Sequence, residues 1–245
     1  MLAALAAVTT QMELGTMVMC SGFRNPAMLA KVADTIDEIS GGRLILGLGA
    51  GYHDPEHHAF GYPTDHRYSR FAEAIEIIHG LLRHGCIDFA GAYYQARECV
   101  LRPRGPRAGG PPIMIGTRGP KMLRLTARYA DLWNAYLVRD HSRPEDLAPV
   151  MSRLDAACQE EGRAPESLGR TAGVHWSASE RVEAIPSWFR LRNGPPLTGG
   201  PDELAEVLRV FARAGISHIQ VIIWPQTLAG VEAFGPILEA LDQCN

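Results

Sequence analysis

Arg43-Leu-Ile-Leu-Gly-Leu-Gly-Ala-Gly-Tyr52 is the stretch on which the fold turns. Its apolar run, Leu44 to Leu48, has the length and flanks of a buried strand. The run ends in three alternate glycines, Gly47, Gly49 and Gly51, and then the aromatic Tyr52. A backbone without Cβ atoms admits close approach by a flat ligand or a phosphate. Tight packing is the competing explanation, and it suits Gly47 better than all three together. A dinucleotide-fold loop is excluded: that motif opens a helix at its glycines and needs a further glycine where Tyr52 stands. A long polar loop is expected instead from Tyr52 to His66, with Pro55, Gly61 and Pro63 along it.

The flanking sequence is read outward from there. Upstream, Asn25 is the expected N-cap and Pro26 the first residue of a helix that presents Leu29, Val32, Ala33 and Ile36 on one face. Ser40-Gly41-Gly42 stops it. Leu14 to Met19 reads as a short strand ending at Cys20, and Leu2 to Thr9 as a helix with no cap before it. Downstream, Phe71, Ile75, Ile78 and Leu82 have helical spacing in a helix from Tyr68 to Arg83. Residues 86–107 read as irregular with a short hairpin around Phe89 to Tyr93, and 102–112 as a surface connection. Pro112 to Gly116 is the next strand, followed by the turn Thr117-Arg-Gly-Pro120 and a helix to Tyr129. Further strands are expected at 131–135, 170–176 and 218–224. The remaining helices are expected at 144–161, from Pro201 to Ala214 and from Val231 to Leu241, with 177–200 irregular. Six strands thus alternate with helices, the rhythm of parallel βα units in a single domain spanning 1–245. A doubly wound sheet and part of an eight-stranded barrel both fit it.

Composition narrows the class. The 245 residues carry a net charge of −3 with acids and bases interspersed, and no basic patch interleaved with aromatics, so nucleic acid is not an expected partner. Five widely spaced cysteines without a Cys-x-x-Cys pair suggest neither a zinc site nor a redox dithiol; they fit reduced thiols in the cytoplasm. The apolar start lacks the basic region of a signal peptide, and nothing approaches the roughly 20 apolar residues of a membrane span.

In either α/β fold, ligands bind at the carboxyl ends of the strands. Those ends carry small residues, aromatics and uncharged polar groups, which suits a large planar ligand better than hydrolysis at grouped carboxylates. Gly116-Thr117-Arg118-Gly119-Pro120 joins a strand to a helix, where backbone N–H groups, the helix dipole, a hydroxyl and a guanidinium would favour an anion. Spacing weighs that equally with a plain turn and an exposed arginine. His53 and His57 have the i, i+4 spacing of a metal pair, but Pro55 between them favours a solvated loop, with Asp54 or Glu56 capping the next turn; no metal is expected. No nucleophile motif is present, and Cys20 reads as a structural thiol.

Several motifs in order resemble one family across nearly the whole chain. They are Phe23-Arg-Asn-Pro26, Ser40 to Tyr52, Glu56 with Phe60-Gly61, Ile113 to Gly116, and Ala127-Arg-Tyr-Ala-Asp-Leu-Trp-Asn134. The family is that of the bacterial luciferase-like monooxygenases, and the branch most resembled is its coenzyme F420-dependent oxidoreductases. The resemblance implies a (β/α)8 TIM barrel of the luciferase-like type, with a deazaflavin or flavin at the carboxyl ends of its strands. By position it implies a non-prolyl cis peptide at Met17-Val18 against the cofactor ring, with both residues cofactor-binding. It puts Gly49, Ala50, Gly51 and Tyr52 beside the ring, and Gly116, Thr117, Arg118 and Gly119 around the phosphate. Tyr52 stands where some F420 enzymes carry a glutamate, so the catalytic acid or base has no assigned residue.

The family opens with a strand, a helix and a second strand ahead of the helix that Met1 begins. The expected barrel therefore lacks about its first two strands, and no residue inherits the histidine that the second strand supplies in many members. The stretch from Trp176 to Thr198 is also shorter than the insertion many members carry. The implied activity is hydride transfer between F420 and a small organic substrate in a cytoplasmic homodimer. The alternatives are an FMN-dependent monooxygenase, or an impaired, truncated barrel serving as a flavin-binding or assembly subunit through its open strand edges.

Overall fold

A computed structural model describes residues 1–136, 147–178, 185 and 195–243. The start of the helix expected from Pro144, most of the irregular stretch expected at 177–200, and Cys244 lie outside the described residues. By contact the chain forms two compact units. One is Met1–Leu132 with Glu161–Arg163, and the other is Trp133–Glu160 with Ala164–Asn245.

In the first unit, helix α1 (Leu2–Val8) precedes two short strands, β1 (Leu14–Gly15) and β2 (Met19–Cys20), and helix α2 (Pro26–Ser40). Strand β3 (Leu44–Gly49), helices α3 (Asp54–Ala59) and α4 (Arg67–His84), and a hairpin of β4 (Cys86–Ala90) and β5 (Gln95–Val100) follow. Strand β6 (Ile113–Gly116) and helix α5 (Pro120–Tyr129) complete it. β3 is buried at every position and pairs in parallel with β1, β2 and β6. The stretch read first is therefore the central strand of this unit.

The expected strand over 14–19 is interrupted. Leu14 pairs with Leu44 but Met19 with Leu48, so one extra residue bulges out between β1 and β2. The Thr16 side chain fills the gap in the ladder: its hydroxyl donates to the Gly47 carbonyl at 2.7 Å and accepts the Gly47 N–H at 3.1 Å.

α2 begins and ends as its sequence dictates. The Asn25 carboxamide accepts the N–H groups of Ala27 and Met28, and Gly41 closes the helix in the left-handed region at φ 67°. Its buried face differs from the expected one. Leu29, Ala30 and Ala33 are buried together with Asp34 and Asp37, while Val32 is exposed. Polar demand sets this rotation. Asp37, fully buried, accepts from both sides of the Arg107 guanidinium and from the Leu44 N–H, and Asp34 accepts from the Gly105 N–H. The connection 102–112 is accordingly not a simple surface strap: Arg107 also reaches the Leu44 carbonyl, and Arg104 the Leu82 carbonyl. Arg43 donates to the carbonyls of Ala6, Thr9 and Met12, fastening α1 to the foot of β3.

α4 buries Phe71, Ile75, Ile78 and Leu82 as its spacing requires. Its Glu73 carboxylate accepts the N–H groups of Ala92, Tyr93 and Tyr94, closing the turn of the hairpin. The polar stretch 52–66 is not a plain loop, because Pro55 in the first turn and acidic Asp54 and Glu56 start α3.

The second unit holds β7 (Leu132–Tyr136), α6 (Ala148–Glu160), β8 (Gly169–Ser177), α7 (Pro201–Arg213), β9 (His218–Trp224) and α8 (Leu228–Asp242). β8 and β9 run in parallel from Thr171↔His218 to Ser177↔Trp224. One face of the pair packs Trp176 against Leu204, Leu208, Phe234 and Ile237. On the other, the Asn134 amide donates to the Thr171 hydroxyl and to the Gln220 carbonyl oxygen, each at 2.8 Å. α8 starts ahead of the expected Val231 because Thr227 caps it, accepting the Gly230 N–H.

Two expected outcomes follow from this packing. A Cβ on Gly47 would overlap the Thr16 carbonyl, whereas one on Gly119 would meet no atom of the described residues within 4 Å. Gly47→Ala should lower unfolding stability by about 1–3 kcal/mol or more and Gly119→Ala should leave it nearly unchanged in denaturant titrations. His79 on α4 lies 5.2 Å from the Tyr129 ring, and burial, with Arg83 nearby, lowers its pKa below the ordinary 6.5. The unfolded chain therefore takes up this proton first as the pH falls below 6.5. Stability should drop from there down through the lowered native value, and His79→Gln should remove that part of the drop in melting curves.

Candidate functional site

Three neighbouring parallel strands of the first unit end side by side. Cys20 of β2 pairs with Gly49, and Leu48 of β3 pairs with Ile115, so β3 and β6 leave the sheet together at Gly49 and Gly116. This register brings the sequence-predicted segments 49–52 and 116–119 to one carboxyl edge, with Met17 and Val18 in the bulge just before β2. The Met17-Val18 peptide is cis, as the resemblance implied.

The tight packing weighed for Gly47 extends to all three glycines. The space of a Cβ on Gly49 is taken by the Val18 methyl group at 2.8 Å, and that on Gly51 by the Cys20 sulfur at 2.5 Å. With Thr16 against Gly47, every second residue of one segment is seated on every second residue of the next. The missing side chains thus admit the neighbouring strand. Gly51 also needs to be glycine for its left-handed φ of 77°. Beyond it Ala50 is half-buried, and Tyr52 is 65% exposed with its ring against His53.

At the neighbouring strand end, the turn after β6 feeds α5. Gly119 is the N-cap and offers no side chain to it; Pro120 takes the first position, and the first intrahelical bond runs from the Leu123 N–H to the Gly119 carbonyl. Thr117 and Arg118 are half-buried, and Nε and Nη2 of Arg118 are removed from solvent. A hydroxyl, a guanidinium and the first-turn N–H groups therefore share one short segment, the donor set an anion requires.

The histidine pair separates. His53 is half-exposed with its Nδ1 3.7 Å from Glu56, while His57 is buried at 2% exposure. His57 Nδ1 lies 3.0 Å from the Pro63 carbonyl and its Nε2 3.9 Å from the Cys20 sulfur. Burial raises the Cys20 pKa above that of a free thiol, outweighing the N–H groups of Gly22 and Phe23 that point to it. Asp54 pairs with Arg67 at the start of α4, so it ties the next helix without capping it. Among the described residues, no group of three or more His, Cys, Asp or Glu is placed to hold a metal ion. Nor is any described helix long and apolar enough to cross a membrane.

Sequence reasoning missed the part played by Thr16 and by the Cys20–His57 contact. A signal for both was present: Thr16, Val18 and Cys20 repeat with the same two-residue spacing as Gly47, Gly49 and Gly51, as facing strands do.

Comparison with known proteins gives a consistent picture. Residues 1–195 match the family model described as luciferase-like monooxygenase. The chain is 38% identical over 222 residues to the pyrimidine monooxygenase RutA of Methylobacterium radiotolerans, covering 82% of this chain and 56% of that protein. It is 33% identical over 208 residues to 5,10-methylenetetrahydromethanopterin reductase of Archaeoglobus fulgidus, covering 84% of this chain and 60% of the reductase. It thus spans a little over half the length of these curated relatives. Among solved structures, the coenzyme F420-dependent tetrahydromethanopterin reductase of Methanopyrus kandleri superposes with a TM-score of 0.80 at 18% identity, over 99% of this chain and 86% of the other. The fold is that of the luciferase-like TIM barrels.

Proposed function

We propose, from the premise that this chain belongs to the luciferase-like monooxygenase family, that it acts as an oxidoreductase using coenzyme F420. In this reading it transfers a hydride between the deazaflavin and a small organic substrate. The observation that carries the reading is the carboxyl edge of the first unit, where the Met17-Val18 bulge, residues 49–52 and the turn 116–119 meet on adjacent parallel strands.

The residues present fit such a cofactor. Thr117, Arg118 and the uncapped start of α5 form a donor set for its phosphate. Among the described residues, no atom lies within 4 Å of Gly119 in the direction a side chain would take. Ala50 and Tyr52 stand on the adjacent strand end, where an apolar and an aromatic side chain would line a flat ring. When bound, the deazaflavin supplies the hydride chemistry, and the chain supplies binding, orientation and exclusion of water. In this arrangement Arg118 and Thr117 hold the anionic end, Met17, Val18 and Ala50 form an uncharged wall, and the exposed Tyr52 borders the side open to substrate. Gly49, Gly51, Gly116 and Gly119 contribute through main chain alone.

A monooxygenase among the relatives favours a second reading, in which FMN takes the deazaflavin's place and the substrate is oxygenated. Either way the reading carries a small-molecule substrate, a cytoplasmic enzyme and a homodimer. The exposed apolar side chains Met28, Val32 and Ile39 along α2 accord with association.

Titration of the purified protein with F420 and with FMN separates the two. Saturable F420 binding with little affinity for FMN is expected. Arg118→Ala should weaken it by about 1–3 kcal/mol, the worth of a charged hydrogen bond. FMN binding with substrate-dependent oxygen uptake would favour the second reading. Binding of neither cofactor would contradict both.

A further inference from the structure

We propose that the Cys20 thiol and the His57 imidazole form a positioning pair that clamps Gly51 and thereby sets the turn carrying Ala50 and Tyr52. The inference rests on the cofactor reading above for its functional consequence, but its geometric core stands without it. Three segments converge on the α-carbon of Gly51: the end of β2, the turn after β3 and helix α3. In the direction where a side chain would leave Gly51, the Cys20 sulfur lies 2.5 Å and His57 Nε2 3.0 Å from the Cβ position. Both atoms therefore rest directly on the glycine.

The pair is built to stay there. The Pro63 carbonyl can only accept, so Nδ1 of a neutral His57 ring carries the proton and Nε2 offers its lone pair to the thiol. The ring is held on a second side by Phe23, whose centroid lies 4.7 Å away. Cys20 is fixed by its ladder position opposite Gly49. Burial keeps the thiol protonated and so able to donate to Nε2.

Two other uses of the pair are less compatible with these contacts. A metal site would need a third ligand, and none is placed there among the described residues. A nucleophilic thiol would need free approach to the sulfur, and the Gly51 backbone occupies one side of it. What the pair does is restrict a turn whose left-handed glycine would otherwise have wide freedom. His57 and Cys20 thus act through Gly51 on the strand end that faces the cofactor.

The test compares Cys20→Ala, Cys20→Ser and His57→Phe by amide hydrogen exchange without added cofactor and by F420 titration. Cys20→Ala and His57→Phe each remove one side of the contact while keeping size close to native. Exchange at Gly51 and Tyr52 should accelerate about fivefold to tenfold in both, as for loss of one hydrogen bond, while exchange at Leu48 in the core of β3 stays as in the parent protein. The F420 dissociation constant should rise by a similar factor, and Cys20→Ser, which keeps a donor toward Nε2, should restore most of both. Unchanged exchange at Gly51 and Tyr52 in both deletions would overturn the proposal. So would acceleration that extends equally to Leu48, which marks general loosening. If the parent protein does not bind F420, the cofactor reading fails while the exchange arm still decides whether the pair clamps the turn.

Discussion

The close seating of residues 16–20 on the glycines of β3 is the constraint from which the rest of the first unit follows. Thr16 replaces a main-chain pair with its own hydroxyl, giving one bond to the Gly47 carbonyl and taking one from its N–H. This lets the chain carry an extra residue between β1 and β2 while the Gly47 main chain stays paired. The bulge then continues in parallel register as β2, so that Val18 and Cys20 reach Gly49 and Gly51. A side chain at any of the three glycines would push the two segments apart. The consequence for function is positional: the bulge, the end of β3 and the end of β6 are brought to one edge.

Below that edge, the foot of β3 is held by charge. Asp37 and Arg107 are paired around the Leu44 main chain, and Arg43 gathers the carbonyls at the end of α1. A buried ion pair costs desolvation and returns it only when its remaining hydrogen-bonding positions are filled. Here the Leu44 N–H and carbonyl fill them, so the pair fixes where β3 begins. The anchored foot and the glycine-seated upper end together leave the strand little freedom to slip. A site spread over three strand ends needs that rigidity.

Much of this was legible in the sequence. The helical spacing in α4, the Asn25 cap, the Gly41 stop and the strand–helix rhythm all depend on local chemistry, which the sequence states directly. The family motifs located both segments of the candidate site and the cis Met17-Val18 peptide. What escaped was non-local. Val32 looks as apolar as Ala33, and only the partners of Asp34 and Asp37, some seventy residues on, decide which of them is buried. Arg104 and Arg107 read as solvated until their carbonyl and carboxylate partners are known. The glycines of β3 announced close approach, but not by what: the answer lay in Thr16, Val18 and Cys20, ordinary residues whose meaning depends on register. His57 carried no mark to separate it from His53 beyond Pro63, whose carbonyl holds it.

The central claim is that residues 49–52 and 116–119 of the first unit face one and the same bound group. Amide hydrogen exchange with and without saturating F420 tests this most directly, because it reports each segment separately in the intact protein. The account predicts that added F420 protects both segments together, with the amides at the start of α5 among the most affected. Protection confined to one of them, or found only elsewhere in the chain, would contradict it.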